Sequence, residues 1–222
     1  MMSTLTKLAL GAMGQLRARP ALGDAASFVE LPAPDRHGGQ PLMEALAARH
    51  SERAFDARPL PLPVLSNLLW AAFGVNRPDG GRTAPSALNA QEIDIYVALP
   101  SGAYLYDPAL HRLALAAGKD IRRVTGYQDF VDDAPADLVY VAHHVRLDRV
   151  PASQRSGFAQ LACGAIAQNV YLYAASAGLA TVLRGWIDRD AIARALGLSY
   201  DQQVILSQTI GYPPATAPAG GQ

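Results

Sequence analysis

The sequence predicts an α+β fold, and three observations carry that prediction. Helical periodicity dominates the first part of the chain, hairpin-linked strand signals fill the middle, and a long charge-free helical run comes late. The strict strand–helix alternation of a doubly wound sheet is absent.

Each element has a local reason. Residues 41–50 read as a helix with Leu42, Ala45 and Leu46 on one face. Residues 64–73 read as a second helix, with Leu65, Leu68, Leu69 and Ala72 inward and Gly74 as a stop. A polar loop follows at 76–84, and Pro85 opens a short helical turn. Ile93, Ile95, Val97 and Leu99 alternate as in a strand, and Pro100-Ser101-Gly102 turns the chain into a second strand at 103–106. Residues 112–116 and 138–145 are further strands. Residues 158–177 form the long helix. A strand at 181–186, a short helix at 190–196 closed by Gly197, and a strand at 204–212 complete the order.

The charge-free run 161–180 has the length of a membrane span. Gln168 and Asn169 in its middle argue instead for a buried helix, because an uncompensated amide in hydrocarbon costs about 2–7 kcal/mol. The expected organisation is an N-terminal arm and linker at 1–40, one domain at 41–213 and a disordered tail at 214–222. In the arm, Lys7 precedes a short apolar run and Arg17 and Arg19 follow it. This reads as a loosely held helix. A degenerate export signal is the alternative, and it would move the protein from the cytoplasm to the periplasm.

With 19 Lys+Arg against 19 Asp+Glu, no basic surplus drives binding to nucleic acid or anionic lipid. The single cysteine, Cys163, allows no internal disulfide and no thiolate-rich metal site. His143 and His144 are adjacent on a strand and point to opposite faces, so no metal is expected there. Phosphate-loop, dinucleotide-fold and serine-elbow motifs are missing. A large core without a catalytic dyad suggests that a cofactor carries the chemistry, with no catalytic side chain.

Four constellations remain. Arg49-His50-Ser51-Glu52-Arg53 offers two guanidinium groups and a hydroxyl that can converge on a phosphate monoester; a solvated charged turn looks the same. Residues 82–91 (RTAPSALNAQ) combine small residues, a hydroxyl and amides that can match a flat polar heterocycle; an ordinary capped turn is the alternative. Gly185, between Arg184 and Trp186 at a strand end, suggests a close backbone approach. Gln168-Asn169 needs hydrogen-bond partners inside an apolar helix.

Taken in order, these segments resemble the nitroreductase-like flavoproteins. Arg49-His50-Ser51-x-Arg53-x-Phe55 resembles the signature that opens that family, and Leu65 to Gly74 looks like its next helix. Arg82 to Gln91 resembles its flavin-contacting loop. Gly126-x-Gln128, Ala167-Gln168-Asn169, Gly178-Leu179-Ala180 and Ile210-Gly211-Tyr212-Pro213 follow with matching order and spacing. The Gly102-x-Tyr104-x-Tyr106-Asp107 hairpin is similar to the branch containing azoline dehydrogenases.

The resemblance implies a central, mostly antiparallel sheet between helices and an intertwined homodimer with FMN at the subunit interface. By the same resemblance, Arg49, His50, Ser51 and Arg53 hold the FMN phosphate and ribityl chain. Pro85, Ser86, Ala87, Asn89 and Gln91 contact flavin from the partner subunit. Arg184 and Gly185 lie near the ring, with the Gly185 N–H towards N5 and Arg184 as a positive charge. NADH or NADPH would supply hydride by a ping-pong mechanism to a small acceptor such as a nitro compound or quinone. A dedicated dehydrogenase acting on a peptide-derived substrate, and a non-catalytic flavin-binding dimer, are the alternatives. One departure stands out: many members of the family it resembles place a Lys or Arg just after the Gly-Tyr-Pro turn, and residues 214–222 contain neither.

Overall fold

The computed structural model describes residues 2–22 and 25–215. In chain order the elements are α1 (Thr4–Ala12), β1 (Arg19–Pro20), β2 (Phe28–Glu30), α2 (Leu42–Ala48), α3 (Leu62–Phe73), β3 (Ile93–Leu99), β4 (Gly102–Asp107), β5 (Arg112–Ala117), β6 (Lys119–Asp120), β7 (Ala136–His143), α4 (Ala152–Ser176), β8 (Ala180–Arg184), α5 (Arg189–Leu196) and β9 (Gln202–Gly211). Seven strands form one sheet in the order β2-β5-β4-β3-β7-β9-β8, with every pairing antiparallel. β1 and β6 make a separate two-stranded ribbon.

Alternation along β3 splits the core into two layers. Ile93, Ile95 and Val97 face α3 and α4, in a cluster that also holds Leu65, Leu68, Leu69, Tyr140 and Ile166. Tyr96 and Ala98 face the other side, with Leu16, Ile121, Val139 and Ile192 of α5. The face of α4 on the sheet is made largely of small residues, among them Ala159, Ala162, Cys163, Ala167 and Ala174, so the helix can approach closely. Cys163 is buried and its thiol is pushed up to about 12 by that burial, as an inert packing residue requires.

Two local expectations are corrected. The long helix begins at Ala152 and is buried on one face only: Gln168 is exposed, and Leu161 is 71% exposed. Absence of charge in 161–180 therefore reflects two apolar faces rather than complete enclosure. Gly74 ends α3 as expected, through an extended exit at φ −69°, and Gly197 closes α5 at φ 67°. The N-terminal arm is not loosely held. Lys7 and Leu16 are buried, Lys7 Nζ donates to Gln128 O at 2.8 Å and pairs with Asp132, and β2 hydrogen-bonds to β5 at the sheet edge. Among the described residues no helix is long and apolar enough to cross a membrane. The expected disordered tail falls mainly on residues 216–222, outside the described residues.

Candidate active site

The Arg49–Arg53 segment leaves the C-terminus of α2 and runs beside the C-terminal part of α4 and the start of β8, where Glu52 N–H donates to Thr181 O at 3.0 Å. Arg49 is half-buried, with its guanidinium 5.3 Å from the centre of the Tyr171 ring. Ser51 Oγ shares a hydrogen bond of 2.8 Å with Tyr171 Oη, which accepts the Leu183 N–H at 2.9 Å. The phenol can then donate to Ser51, which leaves the serine proton directed outward. Glu52 does not neutralise either arginine. Its Oε1 accepts the N–H groups of Arg53 and Ala54 at 2.7 and 2.9 Å, and these bonds hold its carboxyl below the usual carboxylate range. Arg53 and His50 are exposed, and His50 Nδ1 turns back to Ala48 O at 2.8 Å. A cavity of about 180 Å³ beside the cluster is lined by His50, Glu52, Tyr171, Thr181 and Pro213.

The 82–91 loop is built largely from its own bonds. Gln91 N–H donates to Ser86 Oγ at 2.9 Å, and Gln91 Nε2 donates to Gly80 O at 3.0 Å and Asn89 Oδ1 at 3.2 Å. Arg82 Nε donates to Gln91 Oε1 at 2.8 Å. These bonds hold Leu88, Asn89 and Gln91 at φ 53, 53 and 51°, a left-handed region uncommon outside glycine and asparagine. Pro85, Leu88 and Asn89 are exposed as a result, while Ser86, Ala87 and Gln91 are half-buried. Asn169 anchors the loop from α4, with Nδ2 at 3.3 Å from Thr83 O and 3.5 Å from Ala72 O. That accounts for one of the two helix amides as backbone bonding. None of the described cavities is lined by both Arg49–Arg53 and Pro85–Gln91 residues: Asn89 lines one of about 300 Å³ with Arg146 and Val150.

Arg184 is placed differently from the sequence expectation. Its guanidinium is 4% exposed and points into the second core layer, 2.5 Å from Asp137 Oδ1 and 2.8 Å from Thr125 O. Thr209 Oγ1 also donates to Asp137, at 2.5 Å. Burial pushes the Asp137 carboxyl up, and the guanidinium opposes that shift. The charge of Arg184 is thus consumed inside the fold and is not presented to a ligand. Gly126 must be glycine for this, since a Cβ there would overlap Arg184 Nη1. The next residue, Gly185, is exposed at the end of β8.

Sequence reasoning missed two residues here. Tyr171 ties Arg49 and Ser51 to β8, and its signal was a tyrosine inside an apolar helix. Glu92 is fully buried, with both carboxylate oxygens unpartnered among the described residues. Burial pushes its carboxyl up. The folded chain therefore keeps a proton that the unfolded chain releases, and stability falls as pH rises from the ordinary glutamate value to the raised one. Glu92→Gln should remove this loss. As pH rises from the ordinary glutamate value, the Tm of the wild type should fall relative to that of the variant. Parallel pH curves would contradict the reading. His143 Nδ1 lies 3.2 Å from Asp201, and no metal-binding group of three occurs among the described residues.

The family model described as "Nitroreductase family" matches residues 46–212, which takes in every segment of this site. The chain belongs to the nitroreductase family. It is accordingly a flavin-dependent oxidoreductase. A "putative nitroreductase" of Methanocaldococcus jannaschii is 34% identical over 154 residues, covering 65% of this chain and 78% of that one. The crystal structure of a "putative nitroreductase" from Ralstonia eutropha superposes with a TM-score of 0.87 at 52% identity, over 90% of this chain and 96% of that chain. A chain of the E. coli microcin synthetase McbBCD complex with truncated pro-MccB17 bound shares the nitroreductase fold at a TM-score of 0.67 and 16% identity, over 95% of this chain and 83% of that one.

Proposed function

We propose that this nitroreductase-family protein holds FMN between two copies of the chain. It would reduce small acceptors, such as nitro compounds or quinones, with NADH or NADPH. The observation that carries the reading is the run Arg49–Ser51–Tyr171–Leu183, which joins a cationic cluster to β8, the strand that Gly185 follows.

The residues fit the cofactor. A phosphate needs convergent donors, and Arg49 and Ser51 are pre-positioned by one tyrosine, while Glu52 Oε1 is engaged by the Arg53 and Ala54 N–H groups and its Oε2 lies 3.9 Å from His50 Nε2. His50 and Arg53 stand beside them as further donors. Arg58 stacks on Tyr212 at 4.2 Å beside the Gly-Tyr-Pro turn, but its charge is matched by Asp56 at 3.0 Å. Gly185 leaves backbone accessible for a ring edge. Arg49, His50, Ser51 and Arg53 would hold the FMN phosphate and Gly185 would border its ring; the cofactor would supply the two-electron chemistry, while the chain supplies position and charge.

The dimer accounts for the separation of the two constellations. Pro85, Ser86, Ala87, Asn89 and Gln91 would meet the flavin of the other subunit, since none of the described cavities is lined by both them and the Arg49–Arg53 segment. Exposed apolar side chains fit such an interface: Leu42, Met43 and Leu46 on α2, Leu161 on α4 and Leu88 in the loop.

Steady-state rates with varied NADPH and a fixed series of nitroaromatic concentrations should give parallel double-reciprocal lines. Intersecting lines would contradict a shared, alternately occupied site. The second reading is a dedicated dehydrogenase acting on a peptide-derived substrate. It is favoured by the microcin-synthetase likeness and the Gly102–Asp107 hairpin, whose Tyr106 Oη lies 3.0 Å from His111 Nδ1. Bound flavin that NADH and NADPH both fail to reduce would support it.

A further inference from the structure

Trp186 follows Gly185 directly and is 56% exposed, although a tryptophan gains most by burial. Its ring is not loose. The Tyr127 ring lies 5.7 Å away at 59°. Tyr127 is itself wedged against α1, where a Cβ at Gly11 would come within 2.7 Å of Tyr127 Cε1 and 2.9 Å of its hydroxyl. Lys7, buried and bound to Asp132 and Gln128 O, fixes α1 in place. Behind the pair, Asp188 accepts the Ala191 N–H at 2.9 Å and starts α5, which sets the direction of the 185–188 segment. The N-terminal arm therefore supports an exposed aromatic surface beside the strand end. A prebuilt aromatic face loses little on binding a flat ring and gains stacking contact.

We propose that Trp186, propped by Tyr127, is a specificity-determining ledge that stacks flat, uncharged aromatic acceptors next to the reacting centre. The proposal rests on the reading that Gly185 borders the flavin. The acidic Asp188 and Asp190 stand near Tyr127 and disfavour anionic rings at this ledge.

The test compares wild type, Trp186→Ala, Trp186→Phe and Tyr127→Ala as FMN-loaded proteins. Stacking of this kind changes affinity by roughly two- to tenfold. For Trp186→Ala, the ratio of kcat/KM with 1,4-naphthoquinone to kcat/KM with ferricyanide should fall by about that factor, through KM for the quinone. Trp186→Phe should restore most of it, and Tyr127→Ala should lose part. Binding of 2-naphthol, which is not reduced, should weaken in parallel by calorimetry. An unchanged ratio and unchanged naphthol binding would overturn the ledge. So would loss of FMN occupancy or of dimer size in Trp186→Ala, since the side chain would then serve the cofactor or the assembly. Naphthol binding that depends on Trp186 in a protein that takes up no FMN would retain the ledge and refute the flavin reading alone.

Discussion

Arg184→Met is expected to destabilise the fold by about 3–5 kcal/mol, because it leaves Asp137 buried without its counter-charge. The carboxylate is fully enclosed, one oxygen takes the guanidinium and Thr209, and the other has no partner among the described residues. Urea denaturation should show the loss, and at about 2–4 °C per kcal/mol Tm should fall by roughly 6–20 °C. The deficit has a definite pH dependence. Without the cation, the Asp137 carboxyl is pushed further up, so the variant recovers as pH falls and the side chain takes a proton. Asp137→Asn combined with Arg184→Met should restore much of the stability, since an ion pair removed whole costs far less than one broken. If Arg184 instead served a ligand, the single variant would keep its stability and change flavin occupancy.

Arg49→Ala has the opposite signature. The guanidinium is half-buried over Tyr171 and makes no ion pair among the described residues, so its removal should leave Tm nearly unchanged. A charge-assisted contact to phosphate is worth about 1.5–3 kcal/mol, or roughly ten- to a hundredfold in affinity. FMN titration of the apoprotein should show that weakening, with Arg49→Lys recovering part of it because a single ammonium keeps charge but not the planar fork. Full flavin occupancy in purified Arg49→Ala would remove the phosphate assignment.

Much of the fold was legible because alternation is a strong local signal. Ile93, Ile95 and Val97 declare β3, the Pro100-Ser101-Gly102 turn declares its hairpin, and Gly197 marks the end of α5. The order of strands in the sheet was not legible, since β9 inserts between β7 and β8 through pairings that no local pattern encodes. The same limit applied to charge. Arg184 read as a ligand-facing cation and Lys7 as part of a loosely held arm, and only long-range packing against Asp137 and Asp132 makes them internal. The Arg49–Ser51 cluster was visible as composition, but its geometry comes from Tyr171 on a helix distant in sequence. In the 82–91 loop, the residue types suggested a flat partner, whereas the left-handed backbone at Leu88 and Gln91 is set by bonds to Ser86, Gly80 and Arg82.

The most direct measurement is an anaerobic absorbance spectrum of the purified protein, before and after NADH or NADPH is added. The account predicts flavin bands near ~450 nm that bleach on addition, since the cofactor carries the electrons. A colourless protein that also fails to take up added FMN would contradict the assignment of Arg49, Ser51 and Arg53, and with it the proposed function.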